Sequence, residues 1–185
     1  SDSYKNLSAV GGVDLNPRIP QIDLNVQLDS FQLNAFSPLG KNVLTKIRGV
    51  ADGSFRVSGP LSNPDMDGAL YLRNSGLKFP YLNVDFNFVN SPKVQLEKQS
   101  FVFDDVKLSD SKLNTTGFMN GTIQHSGFKN WRLDLKIDSD KLLVLDTKDD
   151  ENKSYYGTGL IAGQASFFGP SNDLNIDVKA KTLEG

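Results

Sequence analysis

The sequence predicts an all-β protein built from antiparallel strands. Three observations lead to this prediction: apolar and polar residues alternate strictly in several segments, turn-forming residues separate those segments, and no segment has the apolar spacing of an amphipathic helix. Alternation with a period of two is typical of half-buried strands, because successive side chains point to opposite faces. Each strand is therefore expected to have one apolar face and one face rich in Asp, Asn and Lys.

The alternation is clearest in four segments, and turn-forming clusters punctuate the chain between them. The alternating segments are residues 22–29, 82–88, 131–138 and 174–179. The clusters, rich in Gly, Pro, Asn and Asp, are residues 59–60, 62–65, 90–92 and 169–173. Such residues supply turn dihedrals and interrupt ladder hydrogen bonds. The frequency of these signals predicts roughly 12 to 16 short strands of about five to eight residues each.

A glycine pattern repeats three times with identical spacing. Its copies are Gly49-x3-Gly53-x5-Gly59, Gly117-x3-Gly121-x5-Gly127 and Gly159-x3-Gly163-x5-Gly169. They define repeat units near residues 49–72, 117–137 and 159–180. Because the copies start at irregular distances, we expect a stack of similar hairpins within one repetitive domain, residues 1–185, and not a short-period β-helix.

Glycine within a strand pattern commonly marks a bulge, a bend or a close backbone approach, so the repeat predicts a curved sheet. The apolar face of such a sheet must be covered by a second sheet, by closure into a barrel, or by curling until it lines a trough. The sequence offers no helix as cover. On these grounds alone a closed core is favoured over an open trough.

Composition excludes several classes of protein. The chain has no Cys, which excludes disulfides, zinc–thiolate sites, iron–sulfur clusters and thiol nucleophiles. Its 20 Lys and Arg are balanced by 22 Asp and Glu without a basic run, so nucleic acid is not an expected partner. The longest apolar run, residues 142–145, is far shorter than the ~20 residues of a membrane-spanning helix.

Several motifs could carry chemistry, but a structural interpretation fits each better. Residues 157–163 match the G-x-G-x-x-A dinucleotide pattern, yet a strand and a turn follow where a helix is required. Residues 65–68 resemble the opening of a calcium loop and lack its remaining ligands. His125 is the one imidazole and is expected in a surface turn, without a nucleophile elbow. We predict no cofactor and no metal site.

The carboxylates of Asp104-Asp105, Asp146 and residues 149–151 could supply the acid and base of glycoside cleavage. Adjacent residues on a strand face opposite ways, however, and residues 149–151 lie in a stretch that is typical of a solvated loop. The sequence therefore predicts a protein that is not an enzyme.

Two segments of the sequence resemble a known family. Residues 49–70, GVADGSFRVSGPLSNPDMDGAL, resemble a recurring G…G…G…NP…G.L unit of the TamB family, the carboxy-terminal region of the translocation and assembly module subunit TamB. This family lies within the AsmA-like bridge-type lipid transfer proteins of diderm bacteria. Residues 155–178 resemble a sequence segment that is typical of Bacteroidota-like members of the family. The likeness covers most of residues 10–185, and because family chains are much longer, the sequence is expected to be a fragment.

The resemblance implies a fold and a function. The fold would be an elongated, curled antiparallel sheet, a β-taco, with a concave hydrophobic groove. The groove would carry phospholipid acyl chains from the inner to the outer membrane. With a TamA-like barrel as partner, the protein would also support assembly of outer-membrane proteins, whose nascent chains are further possible partners. The chain would lie in the periplasm, with an inner-membrane anchor outside this fragment.

The apolar residues of the alternating segments are the candidates for the floor of this groove. Their role would be to solvate acyl chains, since each buried methylene gains about 0.8 kcal/mol. The candidates are Ile22, Leu24, Val26, Leu28, Phe55, Val57, Leu82, Val84, Phe86, Phe88, Trp131, Leu133, Leu135, Ile137, Leu174, Ile176 and Val178.

Two other functions remain open from the residues alone. One is a closed β-sandwich that serves as a carbohydrate-binding or adhesin module through stacking aromatic side chains. The candidate platforms are Tyr4, Tyr71, Tyr81, Tyr155, Tyr156 and Trp131. The other is a polysaccharide-processing enzyme that uses an Asp pair in a cleft of a repetitive β scaffold.

Overall fold

A computed structural model of the chain describes residues 6–16, 18–35, 44–80, 82–147, 157–171 and 173–184. Within these ranges the protein is all-β: eleven strands form one antiparallel sheet, with one short 3-10 turn at residues 33–35 and no α-helix. The predicted fold class is confirmed. The strands are β1 (Leu7–Asp14), β2 (Gln21–Gln32), β3 (Thr45–Pro60), β4 (Asp65–Phe79), β5 (Val84–Phe88), β6 (Lys93–Lys98), β7 (Ser100–Asp110), β8 (Thr116–Ser126), β9 (Lys129–Thr147), β10 (Gly157–Pro170) and β11 (Asn175–Glu184).

The strands follow one another across the sheet in chain order, with one exception. Strands β5 and β6 share the position between β4 and β7, where β5 pairs with the end of β4 and β6 with its beginning. Strand lengths run from 5 to 19 residues. The prediction of 12 to 16 short strands was wrong for the described part of the chain, because many breaks in the alternation are bulges within long strands and not turns between short ones.

A row of bulges crosses the sheet near the middle of its strands. It consists of residues 29–30, 48–50, 73–75, 104–105, 139–141 and 162, together with residues 89–92, which separate β5 from β6. A bulge bends its strand and increases the local twist. Because the bulges of neighbouring strands lie side by side, their bends add, and the whole sheet curves.

Polar side chains hold the bulges in place. In β2, the Ser30 backbone N–H donates to the Asp52 carboxylate at 2.8 Å, and Arg73 of β4 donates to both the same carboxylate and the Ser30 hydroxyl. In β7, the Asp105 N–H donates to the Asn120 amide oxygen at 2.8 Å. Donors that a bulge removes from the ladder are thereby satisfied, which limits its cost.

The curvature brings distant parts of the sheet together. Phe79 of β4 stacks on Phe167 of β10, with 5.7 Å between ring centroids, although β5, β7, β8 and β9 lie between these strands in the sheet. At the same end, the Asp146 N–H of β9 donates to the Leu82 carbonyl, just before β5, at 3.0 Å. The middle of the apolar face is therefore covered by the sheet itself, and its buried side chains form one cluster.

The apolar face is less covered towards the two edges of the sheet. Leu7 and Val13 of β1 are 48% and 47% exposed, and Val178 of β11 is 48% exposed. The structure thus combines the two arrangements that the sequence left open: a closed core in the middle and an open trough at the sides.

The opposite face carries the predicted polar residues. Arg56 of β3 donates two hydrogen bonds to the carboxylate of Asp23 on β2, at 2.8 and 2.6 Å. The hydrogen bond from Arg56 lowers the pKa of Asp23, so this pair stays ionised across the neutral range. Exposed pairs of this kind contribute little to stability, and their main effect is to keep this face hydrated.

The central glycine of the repeat allows adjacent strands to approach closely. Gly53 and Gly121 hold this position in two copies and have φ angles of +143° and +126°. A Cβ atom on Gly53 would lie 2.3 Å from the Ala69 carbonyl oxygen, and one on Gly121 would lie 2.0 Å from that of Asp134. No side chain fits either site, so a close backbone approach is the one of the three expected roles that these two glycines have.

We expect Gly121→Ala to lower the free energy of unfolding by about 2 kcal/mol or more, because it adds both a clash and an unfavourable φ. Gly12→Ala in β1 is the matched control. A Cβ there meets nothing within 4 Å, and its effect should stay within about 0.5 kcal/mol. Urea unfolding of the two variants measures the difference, and equal midpoints would show that the repeat glycine is not required.

Candidate functional site

Two apolar cavities open on the inner face of the curled sheet. The first, which we call the inner cavity, has a volume of about 150 Å³ and lies between β3 to β9 and the segment before β3. Leu72, Phe103, Ile123 and Trp131 are among its lining residues, and all those described are hydrophobic except Gly76. The inner cavity therefore suits hydrocarbon and offers no group for acid–base or metal chemistry.

The second cavity, the edge cleft, is larger and lies beside the last strands. It has a volume of about 490 Å³ and lies between β9, β10, β11 and Leu82. Leu160, Ile176 and Val178 line it, and Asn175 is the polar side chain among its described lining residues. Since Val178 is half exposed, the edge cleft is open to solvent along β11.

Three buried phenylalanine side chains pack together beside the edge cleft. These are Phe79, Phe86 and Phe167, and Phe79 contacts both of the others. Phe79 meets Phe86 edge to face at a centroid distance of 6.1 Å. Phe167 also lines the edge cleft, and within the described ranges no residue lines both cavities.

The structure brings nearly all the predicted floor residues to one apolar face. Those that are buried are Val26, Leu28, Leu82, Val84, Phe86, Leu133, Leu135 and Ile137. Those that are half-buried and pack against them are Leu24, Phe55, Val57, Phe88, Trp131, Leu174 and Ile176. Ile22 and Val178 lie outside this cluster. Contact of any of these residues with lipid stays a prediction.

Only part of this set lines a cavity. Phe88 and Trp131 line the inner cavity, whereas Leu82, Leu174, Ile176 and Val178 line the edge cleft. The other predicted residues fill the core or the neighbouring surface. The strict alternation identified the inner face correctly, but it does not distinguish a side chain that lines a cavity from one that fills the core.

Several lining residues were missed from the sequence. Phe101 and Phe103 of the inner cavity flank Val102, a short alternation that could have been found. Val144 and Leu160 of the edge cleft lie beside bulges, where the period of two is lost. A search for long, strict alternation overlooks such positions.

His125 was predicted in a surface turn, and this prediction was wrong. It ends β8 with 6% of its surface exposed, stacked on Phe128 at a centroid distance of 4.4 Å and packed against Trp131 and Phe101. Its Nδ1 accepts the Phe128 N–H at 3.2 Å, while Nε2 has no partner in the described part of the chain. The tight turn after β8 folds the ring inward among three aromatic residues that line the inner cavity.

Burial lowers the pKa of His125 and favours its neutral form. The unfolded chain takes up a proton below about pH 6.5 while the folded chain resists it, so stability falls as the pH drops through this range.

We expect the unfolding free energy of the unaltered chain to decrease between pH 6.5 and 5, by no more than about 1.4 kcal/mol per pH unit. In His125→Phe this decrease should be smaller, because the ring that replaces the imidazole does not titrate. Urea unfolding at pH 5, 6 and 7.5 compares the two. Identical slopes would mean that the buried imidazole does not govern this dependence.

The other motifs with possible chemistry do not form a site. Residues 157–163 lie within β10, residues 65–68 begin β4, and Asp104-Asp105 forms a bulge. Among the described residues no group of three metal-ligating side chains occurs. The acidic cluster 149–151 lies outside the described residues.

The aromatic candidates for glycan stacking are only partly described. Tyr71 is 51% exposed on β4, and Trp131 is half-buried in the aromatic cluster around His125. The predicted platforms Tyr4, Tyr81, Tyr155 and Tyr156 lie outside the described residues.

The fold and the two cavities define a class: a single antiparallel sheet, curled on itself, whose apolar inner face is partly open. Residues 104–185 match the family model for the TamB C-terminal domain. The matched part runs from the middle of β7 through β11, and the match agrees with the resemblance found in the sequence. Neither the comparison with curated proteins nor that with solved structures found a match.

The TamB family is linked to lipid transport and to outer-membrane assembly, and its members span the periplasm. The family model covers the edge cleft except for Leu82, and it leaves out β1 to β6. Among the described residues, the structure contains no helix that is long and apolar enough to cross a membrane. The assignment to a Bacteroidota-like member stays a prediction.

Proposed function

We propose that this chain is part of a periplasm-spanning bridge whose apolar inner face carries phospholipid acyl chains from the inner to the outer membrane. The observation that supports this most strongly is the edge cleft. Its volume of about 490 Å³ lies within the range of ligand sites, about 300–1,000 Å³, and its lining is almost entirely apolar. The family match supports the same function.

The driving force is removal of hydrocarbon from water. At about 0.8 kcal/mol per buried methylene, a stretch of ten methylenes would gain about 8 kcal/mol before the cost of ordering the chain. No side-chain chemistry is needed for this, so the proposal includes no catalytic residue. The polar outer face, with pairs such as Arg56–Asp23, would remain in water while the inner face holds the acyl chain.

The remaining parts of the proposal rest mainly on the family. A TamA-like outer-membrane barrel would be the partner in assembly of outer-membrane proteins, and an inner-membrane anchor would lie in a segment outside this chain. One structural feature supports contact with nascent outer-membrane proteins. Residues 7–13 of the edge strand β1 carry no charge and no proline, and edges that lack these features accept a further strand readily.

The alternative, a carbohydrate-binding or adhesin sandwich, has less support. A sandwich requires two packed sheets, whereas the described strands form one. Trp131, the strongest stacking candidate, lies among Phe101 and His125 with its ring contacts already made. We therefore retain the lipid-binding function.

We expect Val178→Asp to reduce the amount of bound phospholipid at least ten-fold. The substitution places a charge in the edge cleft, where no partner for that charge is described. The side chain is half exposed, so the variant should fold. Native mass spectrometry after incubation with phosphatidylglycerol vesicles measures the bound lipid.

Val10→Asp is the matched control, since Val10 is 72% exposed on β1 beside Asn25 of the polar outer face. This variant should bind as much lipid as the unaltered chain. Equal binding by Val178→Asp, or binding of an oligosaccharide in place of lipid, would contradict the proposal.

A further inference from the structure

Phe128 lies between the inner cavity and solvent. Its side chain lines the cavity, and 38% of the residue is exposed. It belongs to the two-residue turn between β8 and β9, where Gly127 and Phe128 have φ angles of +56° and +58°. Such a turn favours Gly and Asn, and a bulky aromatic residue in this conformation is strained. Strain of this kind persists only where the surroundings hold the residue in place.

The residue that holds Phe128 is His125. Their rings stack with a centroid distance of 4.4 Å and an interplanar angle of 17°, and the Phe128 N–H donates to His125 Nδ1 at 3.2 Å. A ring nitrogen that accepts a hydrogen bond carries no proton, so this contact requires the neutral imidazole. Nε2, which then carries the proton, has no partner in the described part of the chain.

Protonation of His125 would break this contact. Both ring nitrogens of an imidazolium are donors, so Nδ1–H would face the Phe128 N–H and neither would have an acceptor. The new charge would also lie in a buried site, and burial lowers the pKa of His125. If the Phe128 ring turned outward, water would reach the imidazolium. Attraction of the cation to Trp131 and Phe101 would remain after this movement and therefore would not oppose it.

The side chains that pack against the His125 ring carry no charge. From β7, β9 and the turn they are Phe101, Trp131 and Phe128. The charged residues nearest to them in sequence on β6 and β9 are all exposed, namely Glu97, Lys98, Lys129 and Arg132. Burial is the cause of the lowered pKa, so the imidazole titrates without help from a charged partner among the described residues.

Movement of the Phe128 side chain leaves the strands in place. The turn is anchored by the Gly127 N–H, which donates to the Gln99 side-chain oxygen at 3.0 Å, and by pairing of Ser126 with Lys129. It also abuts the turn between β3 and β4, since a Cβ on Gly127 would lie 3.2 Å from the Ser62 carbonyl oxygen. None of these contacts involves the Phe128 ring, so a side-chain rotation is sufficient to release it.

We propose that the Phe128 side chain is a lid on the inner cavity at the β8–β9 turn, and that protonation of His125 opens it. Above pH 6.5 the neutral imidazole holds the lid closed. Below this pH the lid opens, and an acyl chain enters or leaves the inner cavity at this turn. The identity of the cargo rests on the proposed function, whereas the lid itself does not. In the open state the imidazole regains a pKa near 6.5, so the open population can rise at most about 30-fold between pH 7.5 and 5.

The chain contains a natural reporter for this opening. Trp131 is its single tryptophan, is half-buried, and lines the inner cavity together with Phe128. Acrylamide is uncharged and quenches tryptophan on collision, so its bimolecular quenching constant, corrected for the fluorescence lifetime, reports access to Trp131. For the unaltered chain we expect this constant to be about two-fold higher at pH 5 than at pH 7.5, because opening exposes the cavity side of the indole.

Two variants separate the lid from other effects of pH. His125→Phe keeps an aromatic ring that does not titrate, so its quenching constant should be the same at both pH values. Phe128→Ala removes the lid and should show the higher constant at both. Phe118→Ala is the matched control, because Phe118 is also an exposed phenylalanine of the β8 region, 42% exposed, and does not line the inner cavity. It should behave as the unaltered chain does.

Far-ultraviolet circular dichroism at both pH values establishes that each protein is folded. The lid is wrong if the unaltered chain gives equal quenching constants at pH 5 and 7.5, or if His125→Phe shows the same rise. It is also wrong if Phe128→Ala matches Phe118→Ala at pH 7.5. These measurements contain no lipid. Failure of the lid therefore leaves the proposed function standing, and absence of bound phosphatidylglycerol in mass spectrometry overturns the proposed function and the role of the lid in acyl-chain passage.

Discussion

The structure depends on one constraint: a sheet with an apolar face and no second layer must cover that face with itself. Burial of apolar surface is favourable by about 25 cal/mol per Å². A flat sheet of eleven strands would therefore keep its apolar face in water at a large cost in free energy. The row of bulges resolves this by bending most of the long strands. The stacking of Phe79 on Phe167 across the curled sheet is the most direct result.

The same constraint explains why the polar residues lie where they do. A bulge frees backbone groups from the ladder, and side chains such as Asp52 and Asn120 accept the hydrogen bonds that these groups would otherwise lose. The curl brings the sheet together only in its middle, so the apolar residues of β1 and β11 remain partly exposed. The features that bend the sheet thus also create the edge cleft, and the function we propose follows from incomplete closure.

The sequence predicted the fold class and the inner face because both depend on local pattern. Alternation at Leu133, Leu135 and Ile137 requires no knowledge of distant contacts, and all three are buried. The number of strands could not be predicted, because a bulge and a turn interrupt the alternation alike. The position of His125 depends on aromatic neighbours from β7 and β9, and the hydrogen bonds that join Asp146 to Leu82 and Asn83 depend on curvature across the sheet. Such contacts between distant strands leave no local signal.

Hydrogen exchange of the chain with and without phospholipid vesicles tests the central claim most directly, namely a groove closed in its middle and open at β11. The account predicts slow exchange in β4 to β9 under both conditions, and added protection with lipid in peptides that span Ile176 and Val178. Equal exchange of β11 with and without lipid, or rapid exchange throughout the middle strands, would contradict it.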